Sequence, residues 1–373
     1  MYLFIDTSVD NSNSLKVTFA LIRAGLWEKD VCLSEYGKIN YDRVLELARE
    51  QAVVGLVTAG LEHVKDVRVP QEYILQFVGL TLQEEQRNTS MNSFIAKAVE
   101  RMREADIYTL LVKGQGIAQC YERPLWRTSG DIDFLLSNDN YEKAKKFLQP
   151  LSSNNKPERK FSKELGMCIE PWYVEIHGTL RTGLSSCLDK EIDNVQMGVF
   201  HEGNVRSWNN GSTQVLLPGI DCDVFFVFTH FIKHFYKEGG VTIRQMCDWC
   251  RLLWTYRDSL NHGLLESRIR KAGLMAEWKA FAAFAVGYLG MPIEAMPLLD
   301  VRSEKEDGRC EIDAELRKKA EQIVIFILKG GKWQRFKDTF RVCSIFPLNT
   351  LRFLPGIILG VNWLKIKERI FKR

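Results

Sequence analysis

The chain has 373 residues, enough for two or three domains with a well-buried core, and an ordinary composition, 46% hydrophobic and 26% charged, with no low-complexity tract. Its start carries no basic stretch followed by an apolar run, and no apolar run reaches the ~18 to 20 residues needed to span a bilayer, so neither a secretion signal nor an integral membrane span is expected. The nine cysteines are odd in number and scattered, which points to a reducing cytoplasm rather than a disulfide framework, and the net charge of +4 is small.

Residues 13 to 105 read mainly as helices. In "YDRVLELAREQAVVGLVTAGLEHV", Val44, Leu45, Ala48, Val53, Leu56 and Val57 are spaced for one helical face; "MNSFIAKAVERMREADI" repeats the pattern, with Ser93 near its start. The texture then changes. "YTLLVKG" is a short apolar strand ending in glycine, "IAQCYER" a helical turn or two, "DIDFLLS" a strand and "NYEKAKKFLQPL" a helix. "KFSKELGMCIE" and "WYVEIHGTL" follow as two strands, joined by a tight turn near Pro171 and antiparallel. This order predicts an α+β protein with a small mixed sheet between helical flanks.

After "RSWNNGSTQVLLPG" the chain is mostly helical again, with helices expected over 222–236, 242–256, 274–289 and 312–328. The expected organisation is a helical N-terminal region (1–105), an α/β core (106–200) and a mainly helical C-terminal region (201–373). From Lys329 to Arg373 eleven Lys and Arg face only Asp338 and Glu368. Such a tail suits nucleic acid or an anionic membrane surface, or it is a solvated helical surface. Leu348, Phe353, Ile357, Ile358, Trp363, Ile366 and Ile370 read as its packing residues.

The chemistry concentrates in "LLVKGQGIAQCYERPLWRTSGDIDFLLS". A Gly-rich turn between strand and helix, Lys113-Gly114-Gln115-Gly116, can offer backbone N–H groups to phosphate. No G-x-x-x-x-G-K-[ST] phosphate loop occurs, and the third small residue of a dinucleotide fingerprint is replaced by Gln119. A nucleotide site shared with the carboxylates remains. On a strand, Asp131 and Asp133 point to one face, about 6.5 to 7 Å apart, and repel unless a cation lies between them. Oxygen donors of this kind suit Mg²⁺ with substrate phosphates, and Glu175, expected on a neighbouring strand, is a third carboxylate.

A strand ending in glycine, a helix, D-x-D on the next strand and a later strand carboxylate resemble the nucleotidyltransferase superfamily, the polymerase-beta-like fold. More narrowly, "LLVKG", "RTSGDIDFLL", "VEIHGTL" and "THFIKHF…IRQMCDW" look like an uncharacterised bacterial nucleotidyltransferase family marked by L-K-G, R-x-x-G-D-I-D-L and E-x-H, over about residues 40 to 256. The resemblance implies transfer of a nucleoside monophosphate from an NTP to a hydroxyl, with Mg²⁺ (or Mn²⁺). Asp131 and Asp133 would be metal ligands, and Glu175 would bind a second metal or act as base. Gly114, with the backbone of Gln115 and Gly116, would hold the terminal phosphates. Lys113, Arg127 and Gly130 flank that nucleotide site, with Arg127 either meeting phosphate or bracing the loop before Asp131. Two departures stand out: Gln115 replaces the usual Ser or Gly of the turn, and the third acid is Glu rather than Asp.

His177 and His234 are candidate substrate-binding residues. His230 and His234 with Cys247 and Cys250 have the ligand types of a zinc site, though their spacing matches no zinc module. The acceptor stays open between a small molecule or sugar and an RNA end. Two other classes also fit: a catalytically degenerate nucleotide-binding or regulatory module, favoured by Gln115, and a D-x-D metal-dependent glycosyltransferase.

Overall fold

The computed structural model describes residues 9–238, 240–299, 301–302, 311–329 and 341–357. It opens with four helices, α1 (Val9–Trp27), α2 (Tyr41–Glu50), α3 (Val54–Glu62) and α4 (Gln71–Glu104). The single apolar face read over 41–64 is split in two. Asn40 caps α2, accepting from the Arg43 backbone N–H, and the chain reverses at Ala52, whose φ is 56°. The break lets α3 lie directly on α1: a Cβ on Gly25 would sit 2.0 Å from the Leu56 carbonyl oxygen, and one on Gly60 equally close to that of Leu21. Conversely, the helix expected to start near Ser93 is the second half of α4. There the Ser93 hydroxyl donates to the Thr89 carbonyl one turn back instead of capping an end.

The middle of the chain follows as β1 (Leu110–Val112), α5 (Gly114–Ala118), β2 (Ile132–Leu135), α6 (Asn138–Leu148), β3 (Asn154–Asn155), β4 (Glu164–Ile169) and β5 (Trp172–His177). They form one five-stranded sheet in the order β1-β2-β5-β4-β3. Only the β2–β5 pair is parallel; β4 and β5 form the expected antiparallel hairpin around Pro171, and β1 also runs antiparallel to β2. This mixed sheet between helices is the α+β architecture expected from the element order.

Strand alternation gives the sheet two unlike faces. Ile132, Phe134, Leu165, Met167, Val174 and Ile176 form a buried cluster with Met91, Ile95, Val99 and Met102 of α4 and Tyr141, Ala144 and Leu148 of α6. The other face carries the polar set Asp133, Glu164, Glu175 and His177.

Beyond the sheet lie α7 (Ser186–His201), β6 (Val205–Asn210), β7 (Thr213–Pro218), α8 (Ile220–Lys233), α9 (Ile243–Thr255), α10 (His262–Ala272), α11 (Met275–Leu289) and α12 (Ala314–Lys329). The hairpin β6–β7 turns at Gly211, in a stretch of sequence without a strand assignment above, and inserts Val215 and Leu217 into the sheet's apolar cluster. A second, larger core joins α1 and α3 to α8, α9, α11, α12 and residues 341–353. Hydrogen bonds bolt this union: the Trp27 indole donates to the Leu289 carbonyl at 2.6 Å, and the Arg251 guanidinium donates to the carbonyls of Cys120 and Leu26.

Of the tail, Phe353 is fully buried and Ile357 packs against the core, but Leu348 is 82% exposed, so it is not a packing residue among the described groups. Ile358, Trp363, Ile366, Ile370 and most of the basic residues lie outside the described residues. No helix among the described residues is long and apolar enough to cross a membrane. The eight cysteines among them are free.

Candidate active site

The parallel pairing of β2 with β5 puts Asp133 directly beside Glu175, and Leu135 beside His177. Because both strands alternate in phase, Asp133, Glu175 and His177 project from the same face, and their ligand atoms lie within 4.8 Å of one another. Asp131 precedes the strand by one residue; it is exposed and makes no hydrogen bond or ion pair among the described residues. Together these groups line a cavity of about 410 Å³ between the sheet and the α8–α9 wall.

Asp133 is 3% exposed, and one of its oxygens serves two donors: Lys113 Nζ at 2.9 Å and His177 Nε2 at 2.7 Å. Burial alone would raise its pKa, but Lys113 and the His177 bond outweigh it and hold the carboxyl well below its usual range. Glu175 moves the other way. Burial, and then the charge of Asp133 beside it, raise its pKa above the ordinary glutamate value, against the opposing pull of His177. Burial likewise works against the charge of Lys113, but Asp133 and Asp131 more than compensate and its pKa is raised.

Lys113 reaches Asp133 from a backbone with φ 60°, an uncommon conformation for a side chain that costs roughly 1–3 kcal/mol and persists only where its surroundings enforce it. Gly114 follows at φ 45° and also lines the cavity, as does Gly130. Gln115 and Gly116 do not. The Gly116 N–H is donated to the Lys113 carbonyl, and a Cβ on Gly116 would meet Leu217 Cδ2 at 2.8 Å, so this glycine makes room for β7. The Gln115 amide, almost fully buried, donates to Asn88 Oδ1 at 2.8 Å and Ser129 Oγ at 3.0 Å. Replacement of the usual small turn residue therefore leaves the cavity lining unaltered and ties the turn to the loop ahead of Asp131.

That loop is held from several sides. Arg127 is buried, and its guanidinium donates through two parallel bonds of 2.7 Å to Asp248 of α9, which also accepts from Tyr121 Oη at 2.7 Å. Arg127 is thus the loop's brace, although its edge reaches the cavity. Asn88 donates to the carbonyls of Leu125 and Arg127, and Arg87 donates to those of Ser129 and Gly130. Neither Asp248 nor Asn88 stood out in the sequence. A carboxylate set among Met246, Cys247, Trp249 and Cys250 was the available signal, because a charge on a helix's buried face requires a partner.

His234 lines the cavity at the start of a π-helical turn, His234–Glu238, that extends α8; its Nε2 lies 2.9 Å from that of His230. His230 is held neutral by burial first, then by Lys113 and His234. Cys247 and Cys250 sit in the apolar core, where burial pushes both thiols up. No cluster among the described residues joins these histidines and cysteines at ligand spacing, so the zinc reading fails.

The chemistry of the donor set suits a divalent cation: two carboxylates and an imidazole converge, with Asp131 at the rim of the same cavity. Over residues 37–290 the chain matches the family described as "Uncharacterised nucleotidyltransferase", and it belongs to that family. No curated protein and no solved structure matches it.

Proposed function

From a member of the nucleotidyltransferase family, we propose a metal-dependent transfer of a nucleoside monophosphate from an NTP to an acceptor hydroxyl. The observation that carries this reading is the in-register pairing of Asp133 with Glu175 on one face of the sheet, above a cavity also lined by Asp131 and Lys113. Asp131, Asp133 and Glu175 would hold Mg²⁺ or Mn²⁺, with His177 orienting Asp133 through its 2.7 Å bond or contacting substrate. When bound, the cation would neutralise phosphate charge and lower the barrier to attack at the α-phosphorus.

The acceptor oxygen forms its bond to the α-phosphorus, the bond to the β-phosphate oxygen breaks, and pyrophosphate leaves with the bonding electrons. Glu175, as the alternative to binding a second metal, would receive the acceptor's proton as general base. Lys113, Gly114 and Gly130 line the same cavity and would meet the phosphates, and His234, also in its lining, would meet the acceptor. The acceptor is a small molecule, a sugar or an RNA end; binding to RNA through the basic tail, Lys329 to Arg373, would weaken steeply with salt.

The test is thermal unfolding with ATP, GTP, CTP and UTP, each with and without Mg²⁺, on the wild type and on Asp131→Asn/Asp133→Asn. A nucleotide at about 100 times its dissociation constant stabilises by about 2.7 kcal/mol. Stabilisation of the wild type only with Mg²⁺, absent from the double variant, is the expected result. A double variant that still transfers nucleotide at the wild-type rate would sink the proposal. Nucleotide binding without turnover would favour the regulatory module.

A further inference from the structure

Four arginines line the cavity, and three of them have carboxylate partners: Arg127 with Asp248, Arg159 with Glu164 and Arg181 with Asp193. The fourth, Arg244, has none at salt-bridge distance among the described residues. One terminal nitrogen donates to the Thr128 carbonyl at 2.7 Å, and its Nε is buried with no hydrogen-bond partner. Burial and the neighbouring Arg127 both work against its charge, only partly offset by Asp248, Tyr121 and Asp131. A cation held in this way is short of an anion.

The start of α9 does not supply that anion's site through its backbone. Thr242 and Gln245 close a capping box there, and the N–H groups of Ile243 and Arg244 donate to the side chain and carbonyl of Gln51. The guanidinium itself is the available donor. Its tether to Thr128 fixes it to the same loop that carries Asp131, so an anion on Arg244 lies beside the carboxylates that would hold the cation. Two substrate groups of opposite demand would then meet there: a divalent cation on the acids and a phosphate chain on the arginine.

We propose that Arg244 binds the pyrophosphate portion of the donor nucleotide. This rests on the nucleotidyl-transfer reading for the identity of the ligand, but not for the existence of an anion site. Lys113 is committed to Asp133 and Arg127 to Asp248, whereas the leaving pyrophosphate gains charge as its bond to the α-phosphorus breaks. The Arg244 Nε is buried and one terminal nitrogen is held by the Thr128 carbonyl, so the remaining N–H groups of the guanidinium's terminal nitrogens are the donors a phosphate oxygen would meet.

The probe is inorganic pyrophosphate with Mg²⁺, titrated calorimetrically into the full chain as wild type, Arg244→Gln and Arg244→Lys. ATP, GTP, CTP, UTP and the corresponding nucleoside monophosphates form separate arms. Arg244→Gln should weaken pyrophosphate about tenfold, the scale of a lost hydrogen bond to a charged group, and leave monophosphates within about twofold. Arg244→Lys should fall between and serves as the comparison if the Gln variant fails to fold. Wild-type affinity for pyrophosphate in the variants, or no pyrophosphate binding by the wild type, overturns the assignment. If pyrophosphate binds through Arg244 but no triphosphate binds, the anion site stands and nucleotidyl transfer falls. If triphosphates bind equally well in all three proteins, Arg244 is only a brace for Thr128 and nucleotidyl transfer survives.

Discussion

Asp133 and Asp248 are both buried aspartates lining one cavity, yet they are built differently. Asp248 has both oxygens occupied by the fork of Arg127, with Tyr121 adding a third donor. Asp133 receives Lys113 and His177 on one oxygen and stands beside a second carboxylate, Glu175. A buried carboxylate whose acceptors are all matched holds the chain together. One that is crowded by another acid and served on one side is arranged for something that arrives later.

The sharpest way to break this comparison is to neutralise each aspartate in turn. Asp131→Asn/Asp133→Asn should lower nucleotide transfer by about 10³-fold or more while the protein remains folded, read from transfer of labelled nucleotide beside circular dichroism. Asp248→Asn should act first on stability, costing about 3–5 kcal/mol because Arg127 is left charged and buried; denaturant unfolding measures it. Replacing both partners, Arg127→Met with Asp248→Leu, should cost less than the sum of the two single changes. Equal stability losses at Asp133 and Asp248 would erase the distinction.

Gln115 sharpens it at a smaller scale. Gln115→Ser, which restores a residue usual at such turns, should cost about 1–3 kcal/mol through the lost bonds to Asn88 and Ser129, and should not raise activity. A faster enzyme would show that Gln115 acts on substrate.

The smallest effect is the pH dependence of the metal-free protein. The folded-state pKa of Asp133 is depressed, so its contribution is present above the ordinary aspartate value and is lost as pH falls below that value through the depressed folded-state one. Glu175 has a raised folded-state pKa; the native state holds its proton longer than the unfolded chain, and stability falls as pH rises through that window. In chelator, Glu175→Gln should therefore raise Tm by about 1–2 °C at pH 7 to 8, a gain that vanishes below the ordinary glutamate pKa. A gain at acidic pH alone would reverse the sign argued here.

What was legible in the sequence is what period and order encode. Alternation in "DIDFLL" and "WYVEIH" marked two half-polar strands, so Asp133 and Glu175 were readable as strand carboxylates before their pairing was known, whereas Asp131, expected on the same strand, lies one residue ahead of it. The mixed sheet between helical flanks followed from the order of elements. The helices at 41–64 and 93–105 were misdivided because periodicity is blind to a single residue in a left-handed conformation at Ala52, or to a neighbouring backbone that packs against Gly25 and Gly60.

The sequence by itself thus determined the carboxylate strands, the apolar faces that bury them and the turn at Lys113-Gly114, since each is written in residues a few positions apart. Only the tertiary structure decided that Gln115 is a brace, that Arg127 belongs to Asp248 across 121 residues, and that Arg244 meets no acid at salt-bridge distance among the described residues. The Gln115 and Arg127 partners meet because two cores place α4 and α9 around one loop, and burial drives a polar or charged group toward a counterpart at whatever distance along the chain it lies.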